Sequence, residues 1–345
     1  MSDPSTHPAL DISHTSMSEE AALRFLDGHR IRVGSRTMDP KAQIVGEFVK
    51  SIRVPGFFPP LPELRQQLRV MVSLMDEPAP ALPRVENISI PGPAGEIPAR
   101  VYSPSAATAP QPAVAYFHGG GWVQGDLETH HGLCARLAKH AGVLVVAVDY
   151  RLAPEYKFPA AVEDCLAAYR WLRTKGRDVG ADTARVAVAG DSAGGNLSAV
   201  VSQLAASGGV PTPTCQVLIY PAVDFSLETS SHHDLADGHV IPRDRILWYM
   251  EQYLRNDADK SDLRASPLRA TSLKGQPSTM IVTAGFDPLR DEGRAYGDRL
   301  REAGVDVVHR EYPGQIHAFV SLTRAIPQGM ACTLEIAEFL RQRLG

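Results

Sequence analysis

A serine between two glycines is a feature of the sequence that could do chemistry. The segment RVAVAGDSAGGN has Ser192 flanked by Gly190 and Gly194, after an apolar run typical of a strand and before GNLSAVVSQLAAS, a run typical of a helix. A G-x-S-x-G turn in this context is sharp, and a side chain at either glycine would collide with the strand or the helix. A tight glycine turn with a solvated serine would also fit. The flanking strand and helix favour a nucleophilic Ser192 at the positive end of a helix dipole.

A serine hydroxyl attacks only when a base takes its proton, and histidine has the suitable pKa. Two of the twelve histidines, His309 and His317, lie in the segment DVVHREYPGQIHAFV near the end of the chain. His309 falls within a predicted strand and is expected to be a packed or edge side chain. His317 follows Pro313-Gly314, in the loop at the carboxyl end of that strand, where α/β sheets carry their sites. We therefore predict that His317 is the base.

A carboxylate that orients this histidine is expected after the preceding strand. The segment MIVTAGFDPLRDEG places Asp287 just past a strand, before Pro288 opens a helix. Asp291 and Glu292, in the first turn of that helix, fit a simple favourable charge at a helix N-terminus. Asp287 is therefore predicted to hold His317 in the right tautomer and to stabilise its cation.

Three consecutive glycines, Gly119, Gly120 and Gly121, follow His118 after the apolar run AVAYF. Glycine loses more conformational entropy on folding than other residues, so a run of glycines needs a reason. Attack on a carbonyl places negative charge on its oxygen, and that charge needs N–H donors already in place. Bare glycines can turn their N–H groups towards a substrate, and Ala193 adds a donor next to the serine. A plain turn is the alternative for the glycines alone, but we expect an oxyanion hole, with His118 bracing the loop by hydrogen bonding.

Two histidine pairs, His130-His131 and His232-His233, need a separate interpretation. Neither pair has carboxylate or cysteine partners at metal-ligand spacing. We expect surface or lid histidines and no metal site.

Strand-like runs alternate with amphipathic helices through most of the chain. The predicted strands are AVAYF, VLVVAVDY, RVAVAG, CQVLIYPAV, STMIVTAG and DVVHREYP, preceded by an antiparallel hairpin of VENISIP and IPARVYSP. The predicted helices include PAAVEDCLAAYRWLRT, with Pro159 at its first position, and CTLEIAEFLRQRL at the end. Near-continuous apolar strands separated by amphipathic helices indicate a mostly parallel sheet with helices on both faces. We therefore predict an α/β fold with eight strands.

The N-terminal segment, residues 1–80, is predicted to form helices and loops. Ser18 is a candidate cap for SEEAALRFLDGHRI, and PKAQIVGEFVKSI and PELRQQLRVMVSLM have apolar residues at helical spacing. Residues 81–345 form the predicted catalytic domain, which contains one long irregular insertion with the helical stretch RDRILWYMEQYLRN. A break of this length in a compact series is typically a lid or binding segment. We expect a helical cap made from residues 1–80 and from residues 224–255.

Four aromatic residues are candidates for the substrate pocket: Trp122, Phe57, Phe58 and Trp248. Trp122 follows the glycine run directly, and the others lie in the predicted cap segments. Aromatic residues also pack in cores, so core packing is the competing interpretation for each of them.

Composition and charge exclude several classes of function. The chain has 345 residues, a formal net charge of −4 and no dense Lys/Arg cluster, so a nucleic-acid partner is not expected. The start of the chain lacks the pattern of a signal peptide, and no apolar run reaches membrane-spanning length. The cysteines have no metal-ligand spacing and are expected to be reduced core thiols: Cys134, Cys165, Cys215 and Cys332. We expect a cytoplasmic protein without a membrane partner.

The motifs HGGGW, DYRLAPE, GDSAGGN, DPLRDEG and IHAF occur in this order. With them the sequence closely resembles the bacterial hormone-sensitive-lipase-like esterases (family IV) of the α/β-hydrolase fold, from about residue 80 to the end. The N-terminal helices are similar to that family's cap. The resemblance implies a hydrolase of small-molecule carboxylic esters with short to medium acyl chains, without a cofactor and often dimeric. It also implies a triad of Ser192, Asp287 and His317.

The resemblance further implies a structural role near the site for Asp149, Arg151 and Glu155 of the DYRLAPE motif. One departure is Ala318, which stands where many members have glycine after the histidine. This change is expected to shift the loop of His317 slightly.

Two other functions are open at this point. A catalytic triad does not determine which acyl compound is hydrolysed, so an amide, a lactone or a carbamate could be the substrate. Comparing the rates on a panel of esters with those on matched amides would separate these possibilities. The other alternative is a ligand-binding protein on this scaffold, since some relatives of the family, the plant hormone receptors, have lost the catalytic histidine. The presence of His317 argues against it.

Overall fold

The structure, a computed structural model, describes residues 10–54, 56–106 and 109–345. The first nine residues of the predicted cap segment therefore lie outside the described residues. The helices of the described part are α1 Glu19–Leu26, α2 Pro40–Ser51, α3 Leu61–Met75, α4 His131–Ala141, α5 Ala160–Lys175, α6 Ala193–Ala206, α7 Ser230–Asp234, α8 Arg243–Tyr253, α9 Arg290–Glu302 and α10 Gln328–Leu344. The strands are β1 Arg32–Val33, β2 Arg36–Thr37, β3 Arg84–Gly92, β4 Gly95–Ser103, β5 Gln111–Phe117, β6 Leu144–Val148, β7 Ala181–Asp191, β8 Cys215–Ile219, β9 Ser278–Phe286 and β10 Val307–Ile316.

Eight of these strands form one sheet in the order β10-β9-β8-β7-β5-β6-β4-β3, and β1 pairs with β2 in a separate short hairpin. The pairs β3/β4 and β4/β6 are antiparallel, whereas β5 to β10 pair in parallel. The predicted mostly parallel, eight-stranded sheet with an antiparallel hairpin at its start is confirmed. Because parallel strands run in one direction, β5, β7, β9 and β10 end at the same edge of the sheet.

Helices cover both faces of the sheet because successive side chains of a strand point to opposite faces. Along β5, Val114 and Tyr116 belong to a hydrophobic cluster with α4 and α10. Ala113, Ala115 and Phe117 belong to a second cluster with α5 and α6. The α/β fold with helices on both faces, predicted from the near-continuous apolar strands, is confirmed.

The N-terminal helices are fastened to the end of β10. Ser18 caps α1 as predicted, and its hydroxyl accepts a hydrogen bond from the N–H of Ala21. The N–H of Asp39, which precedes α2, donates to the carbonyl of Gly314 at 2.9 Å, and the Asp39 carboxylate accepts a hydrogen bond from Gln315 Nε2. The start of α2 is therefore joined to the segment that leads to residue 317.

The end of α3 is held by a buried ion pair. Asp76 follows this helix and accepts two hydrogen bonds from Arg136 Nη2 of α4, at 2.8 and 2.7 Å. The hydroxyl of Thr323 donates to the same carboxylate at 2.6 Å. Both partners of this pair are buried, so the contact fixes α3 against the sheet-covering helices.

The long insertion lies between β8 and β9 and contains α7 and α8, the second of which was predicted. Ile246, Tyr249 and Met250 of α8 are buried in the cluster that contains α5 and α6. Pro159 precedes α5 as its N-cap and does not occupy the first helical position that was predicted. No helix in the described part of the chain is long and apolar enough to cross a membrane.

Candidate active site

Ser192 occupies the turn between β7 and α6, where its φ is 56°. A positive φ is costly for a residue with a side chain and persists only where the surroundings enforce it. A Cβ atom on Gly190 would lie 2.3 Å from the carbonyl oxygen of Gly194, and one on Gly194 would lie 1.9 Å from that of Phe117. The collisions expected from the sequence are present, and they require glycine at both positions.

Three side chains, each directly after a strand, form one hydrogen-bonded chain. His317 Nε2 lies 2.9 Å from Ser192 Oγ, and His317 Nδ1 lies 2.6 Å from Asp287 Oδ2. Asp287 is fully buried, and its Oδ1 atom accepts a hydrogen bond from the N–H of Leu289 at 2.9 Å. With a carboxylate against Nδ1, the imidazole carries its proton there and presents the Nε2 lone pair to the hydroxyl. The structure brings together the three residues singled out in the sequence.

The loop of His317 has a left-handed residue at its next position. Ala318 has a φ of 67°, a conformation that glycine adopts without cost, which accounts for the glycine that resembling sequences carry there. His309, the other histidine of this segment, lies in β10, where its Nε2 is 2.8 Å from the hydroxyl of Thr283. It is a packed strand residue, as predicted.

The three glycines after His118 are each required by a different neighbour. A Cβ atom would lie 2.3 Å from Asp191 Oδ2 at Gly119, 2.1 Å from the carbonyl oxygen of Gln124 at Gly120 and 2.4 Å from the ring of Tyr249 at Gly121. Gly120 and Gly121 also have φ values of 120° and 62°, which residues with side chains rarely adopt. The backbone is bare here because carboxylate, carbonyl and aromatic ring all approach it closely.

The N–H groups of this loop differ in their partners. The N–H of Gly119 donates to Asp191 Oδ1 at 3.0 Å, so it is occupied within the protein. The N–H groups of Gly120 and Gly121 meet no acceptor among the described residues. Ala193 opens α6, and the first N–H groups of a helix have no intrahelical acceptor. Of the predicted oxyanion donors, Gly120, Gly121 and Ala193 therefore have an N–H without an acceptor in the described part of the chain, whereas the N–H of Gly119 has one.

His118 braces the glycine loop, as expected. Its Nδ1 atom lies 2.8 Å from the carbonyl oxygen of Gly119, and its ring stacks on Tyr150 with the ring centroids 4.3 Å apart. Burial, together with the charge of His130 nearby, lowers the pKa of His118 to about 4. The ring is therefore neutral near pH 7 and donates its Nδ1 proton to the loop carbonyl.

Asp191, the residue before the nucleophile, is the acceptor of a buried polar cluster. Its Oδ1 atom accepts hydrogen bonds from the hydroxyl of Tyr116 at 2.7 Å and from the N–H of Gly119, and His130 Nε2 lies 3.2 Å from it. Burial acts to raise the pKa of Asp191, but the charge of His130 and the hydrogen bonds from His130 and Tyr116 outweigh it and hold this pKa below its usual value. Burial also acts to lower the pKa of His130, and the carboxylate reverses this and raises it. Each residue therefore favours the charged form of the other.

His130 was expected at the surface or in a lid, and this expectation is wrong. The residue is buried beside Asp191, whose carboxylate would be costly to bury without a partner. Asp191 ends an apolar strand, and a carboxylate at such a position indicates that a polar partner lies nearby. The partner lies 61 positions away, so sequence spacing could not identify it.

His232 is also buried, which corrects the same expectation. Its Nε2 atom lies 2.6 Å from Glu292 Oε2, and the Glu292 Oε1 atom accepts a hydrogen bond from the N–H of Val223 at 2.6 Å. Burial raises the pKa of Glu292, although its hydrogen bonds act against this. Glu292 thus does more than complement a helix N-terminus, since it ties the start of the insertion to α9. His233 is exposed, as expected.

The DYRLAPE motif supports the site from one side. Arg151 Nε and Nη2 donate to the Asp164 carboxylate of α5, and Arg65 of α3 donates to both oxygens of Glu155 at 2.8 Å. Burial raises the pKa of Asp149 to about 6. These contacts agree with the structural roles that the family resemblance implied, and Glu155 joins the motif to the N-terminal helices.

Two cavities meet at Ser192. The larger has a volume of about 730 Å³ and extends from Ser192, His317 and the glycine loop to α2 and α3. The smaller has a volume of about 30 Å³ and extends from Ser192 to the insertion, where α8 contributes to its lining. The candidate site is therefore a chamber with a short side pocket.

The aromatic candidates take different places around these cavities. Trp122 lines the smaller cavity, and Phe57, with 58% of its surface exposed, lines the larger. Phe58 and Trp248 line neither of these two cavities. They stack on each other with ring centroids 4.7 Å apart, and the guanidinium of Arg245 lies over Phe58. Packing between the cap segments accounts for these two residues.

Among the residues that the structure describes, no group of three or more His, Cys, Asp or Glu side chains could hold a metal ion. The cysteines are buried and unpaired, as core thiols were predicted to be: Cys134, Cys165, Cys215 and Cys332.

Comparison with known proteins adds a second line of evidence. A family model described as alpha/beta hydrolase fold matches residues 114–321. The carboxylic ester hydrolase LipN of Mycobacterium tuberculosis is 42% identical over 332 residues, which cover 94% of this chain and 88% of the relative. An ethyl acetate hydrolase of Pseudomonas putida is 39% identical over 256 residues, which cover 72% of this chain and 79% of the relative. The solved structure of an ester hydrolase from the metagenome of Lake Arreo, complexed with a bipyridine phosphonate derivative, matches with a TM-score of 0.84 and 41% identity and covers 88% of this chain and 98% of that one.

A mostly parallel sheet with serine, histidine and carboxylate at its carboxyl edge defines the α/β hydrolases as a class. The chain belongs to the α/β-hydrolase fold family, within the hormone-sensitive-lipase-like carboxylesterases (family IV). Its activity is the hydrolysis of small-molecule carboxylic esters.

Proposed function

We propose that the chain hydrolyses carboxylic esters through an acyl-enzyme formed on Ser192. His317 is the base and Asp287 the residue that orients it. The observation that carries this proposal is the chain of hydrogen bonds from Ser192 Oγ through His317 to Asp287, of 2.9 and 2.6 Å. An imidazole that contacts the serine hydroxyl, and whose other nitrogen is held by a buried carboxylate, is the arrangement that activates a serine as a nucleophile.

Acylation follows from this geometry. His317 Nε2 takes the proton of Ser192 Oγ as the oxygen attacks the ester carbonyl. The resulting oxyanion accepts hydrogen bonds from the free N–H groups of Gly120, Gly121 and Ala193, and losing one such donor costs about 3 kcal/mol of transition-state stabilisation. His317 then gives its proton to the leaving alcohol, and Asp287 stabilises the imidazolium during the step.

Deacylation repeats these roles with water in place of the hydroxyl. His317 takes a proton from a water molecule, whose oxygen attacks the acyl carbon. The second tetrahedral intermediate uses the same N–H donors, and its collapse returns the proton to Ser192 and releases the acid. Every step uses groups of this chain, with an ester and water as the only reactants.

We further propose that the N-terminal helices and the 224–255 region form a cap over the substrate. The larger cavity supports this role, because side chains of α2 and α3 line it together with Ser192 and His317. Trp122 and Phe57 are the two aromatic candidates that the cavity linings support as substrate contacts. Residues 81–345 then form the catalytic domain.

A cytoplasmic location and a homodimer are also proposed. The buried, unpaired thiols support the first, since reduced cysteines are typical of that compartment. The family resemblance supports the second. Cell fractionation and light scattering of the purified chain test these two points.

The central experiment is Ser192→Ala, which removes only the hydroxyl. We expect hydrolysis of p-nitrophenyl butyrate to fall on the order of a millionfold, with an unchanged circular dichroism spectrum. Ser207→Ala is the matched control, because Ser207 is an exposed serine at the other end of α6. Turnover retained by the Ser192 variant at the level of the control would overturn the proposal.

A further inference from the structure

The two cavities share few lining residues, and these mark the boundary between them. Gly121, Ser192, Ile241 and Tyr249 line both. A substrate carbonyl bound at Ser192 therefore has one cavity on each side. The chemistry of the proposed mechanism decides which part of an ester enters which cavity.

The tetrahedral carbon carries four groups: the serine oxygen, the oxyanion, the alkoxy oxygen and the acyl chain. A general acid must lie within hydrogen-bond reach of the oxygen that it protonates, so the alkoxy oxygen has to face His317. His317 lines the larger cavity and is absent from the lining of the smaller one. The alcohol part of the ester therefore extends into the larger cavity, and the acyl chain enters the smaller.

The volumes then set the size of each part. A water-sized group occupies about 10–15 Å³ of cavity measured in this way, so about 30 Å³ admits about two or three heavy atoms. The larger cavity, at about 730 Å³, falls among pockets of roughly 300–1,000 Å³ that bind drug-sized molecules. The acyl side is short and the alcohol side is large.

The lining side chains indicate the chemistry of each part. Phe225, Ile246 and Met250 give the smaller cavity a mostly apolar lining, which suits an unbranched alkyl chain. Val49 of α2 and Met71 of α3 give the larger cavity apolar walls as well. Charged side chains also occur in both linings, Arg53, Glu63 and Arg245 in the larger cavity and Asp224 and Glu292 in the smaller. Most of the exposed lining surface is apolar, which favours alkyl and aromatic groups on both sides of the ester.

We propose that the preferred substrates are esters of short acids, from acetate to butyrate, with bulky and largely apolar alcohols. This inference rests on the proposed function, since it uses His317 as the acid that protonates the leaving alcohol. It narrows the short to medium acyl chains that the family resemblance implied to the short end.

Ile241 is the specificity-determining residue of this arrangement. Of the two large side chains shared by both cavities, Tyr249 is fixed by its hydroxyl, which accepts a hydrogen bond from Gln124 at 2.9 Å, and by its ring, which packs on Gly121. No polar contact holds the Ile241 side chain, whose residue is 9% exposed. Truncation of Ile241 therefore enlarges the acyl side without loosening the oxyanion loop.

Two series of substrates test the inference on the full chain. One varies the acid in p-nitrophenyl acetate, butyrate and octanoate, and the other varies the alcohol in ethyl, butyl and octyl acetate. We expect kcat/KM to fall at least about tenfold from butyrate to octanoate, since a well-packed pocket rejects added methylenes. Along the acetate series we expect kcat/KM to be constant or to rise.

Variants of residues that line the smaller cavity test the same inference more directly. Ile241→Ala is expected to raise the octanoate-to-butyrate ratio of kcat/KM about tenfold, and Met250→Ala, which deepens the smaller cavity alone, is expected to raise it as well. Leu247→Ala is the matched control, because this α8 residue is 42% exposed and lines neither cavity. If the alanine variant of Ile241 does not fold, Ile241→Val gives the same comparison with a smaller truncation.

The outcomes separate the two proposals. Absence of hydrolysis on every ester of both series would overturn the proposed function itself. Hydrolysis with equal rates on butyrate and octanoate, or with rates that fall along the acetate series, would overturn the inference and leave the proposed function standing. An unchanged octanoate ratio in folded Ile241→Ala would likewise overturn the role of Ile241.

Discussion

Asp191 Oδ1 lies 3.0 Å from the backbone nitrogen of Gly119, and this contact joins the residue before the nucleophile to the loop that faces it. A loop of three glycines has no side chains with which to hold its own position. Its N–H groups are useful only if they already point at the developing oxyanion. Asp191 therefore acts on the reaction as a positioning residue, through the loop that it holds.

Asp191→Asn tests this relationship. The amide keeps the shape of the side chain but removes its negative charge, and with it the carboxylate that raises the pKa of His130. We expect kcat to fall on the order of tenfold to a hundredfold while KM changes little, because the loop acts mainly on the transition state. Steady-state kinetics on p-nitrophenyl butyrate, with thermal unfolding in parallel, provide the measurement.

Asp182→Asn is the control for this change, since Asp182 lies in the same strand and pairs with Arg185. It should retain the rate of the unmodified chain. A fall in kcat no larger for Asp191→Asn than for Asp182→Asn would show that the loop does not need the carboxylate.

Gly121→Ala should abolish most of the activity. The added Cβ would lie 2.4 Å from the ring of Tyr249, and the φ of 62° is already unfavourable for alanine. The loop or α8 must then move, and we expect kcat/KM to fall at least about a hundredfold because a free N–H donor moves with it. Gly142→Ala is the matched control, with a φ of 70° but open space around the new Cβ.

The control should lose about 1–2 kcal/mol of stability from its left-handed backbone and keep its kcat. Similar kinetics for the two alanine variants would argue against the close approach of Tyr249.

Asp39→Ala tests whether the N-terminal helices support the base. Gln315 is buried and loses the acceptor of its Nε2 group, a loss that costs about 1–3 kcal/mol. We expect a lower melting temperature together with a lower kcat, because Gln315 stands two residues before His317. Asp298→Ala, which removes an exposed ion pair with Arg301, should change neither by much.

Deletion of residues 1–45 tests the role of the N-terminal helices as a whole. It removes α1 and the first half of α2 together with Asp39. We expect activity and solubility to be damaged together, because the apolar faces that these helices cover become exposed. Unchanged kinetics in a soluble truncated chain would refute a cap role for this segment.

Asp149→Asn removes a pH dependence of stability that has a defined direction in the unmodified chain. Burial raises the pKa of Asp149 to about 6, above the value near 3.8 of an unperturbed aspartate, so the folded chain holds this proton more tightly than the unfolded chain. The favourable contribution is therefore complete below about pH 4 and is lost as pH rises through about 6. Asparagine resembles the neutral form, so the variant should be more stable than the unmodified chain at pH 8 and equally stable at pH 4.

Urea unfolding at the two pH values measures this difference. Asp257→Asn is the control, because the side chain of Asp257 is 92% exposed and should give equal stability changes at both values. A variant destabilised at pH 8 relative to pH 4 would contradict the assignment of burial as the cause.

The sheet and the chain of three catalytic candidates could be predicted because their signals are local. Ser192, Asp287 and His317 each follow an apolar strand directly, and parallel strands bring such positions to one edge. The apolar pattern of the strands decided the fold, and glycines on both sides of Ser192 marked the turn. No long-range information was needed for either step.

The two buried histidine–carboxylate contacts could not be predicted, because their partners come from distant parts of the chain. His130 and His232 have no sequence neighbour that explains their burial, and their carboxylates stand 61 and 60 positions away. The places of the aromatic residues were hard to predict for a similar reason. Phe58 and Trp248 find each other across the two cap segments, and a sequence does not show which aromatic faces a cavity and which faces another ring.

Burial of all the cysteines has a practical consequence. Burial raises the pKa of the thiols in positions 134, 165, 215 and 332, so maleimide reagents should leave the folded chain unlabelled. A single cysteine introduced at Leu247, on the outer side of α8, would then be the one reactive handle. A fluorophore attached there would report on the surroundings of α8 when a substrate binds, and the native cysteines would not have to be removed first.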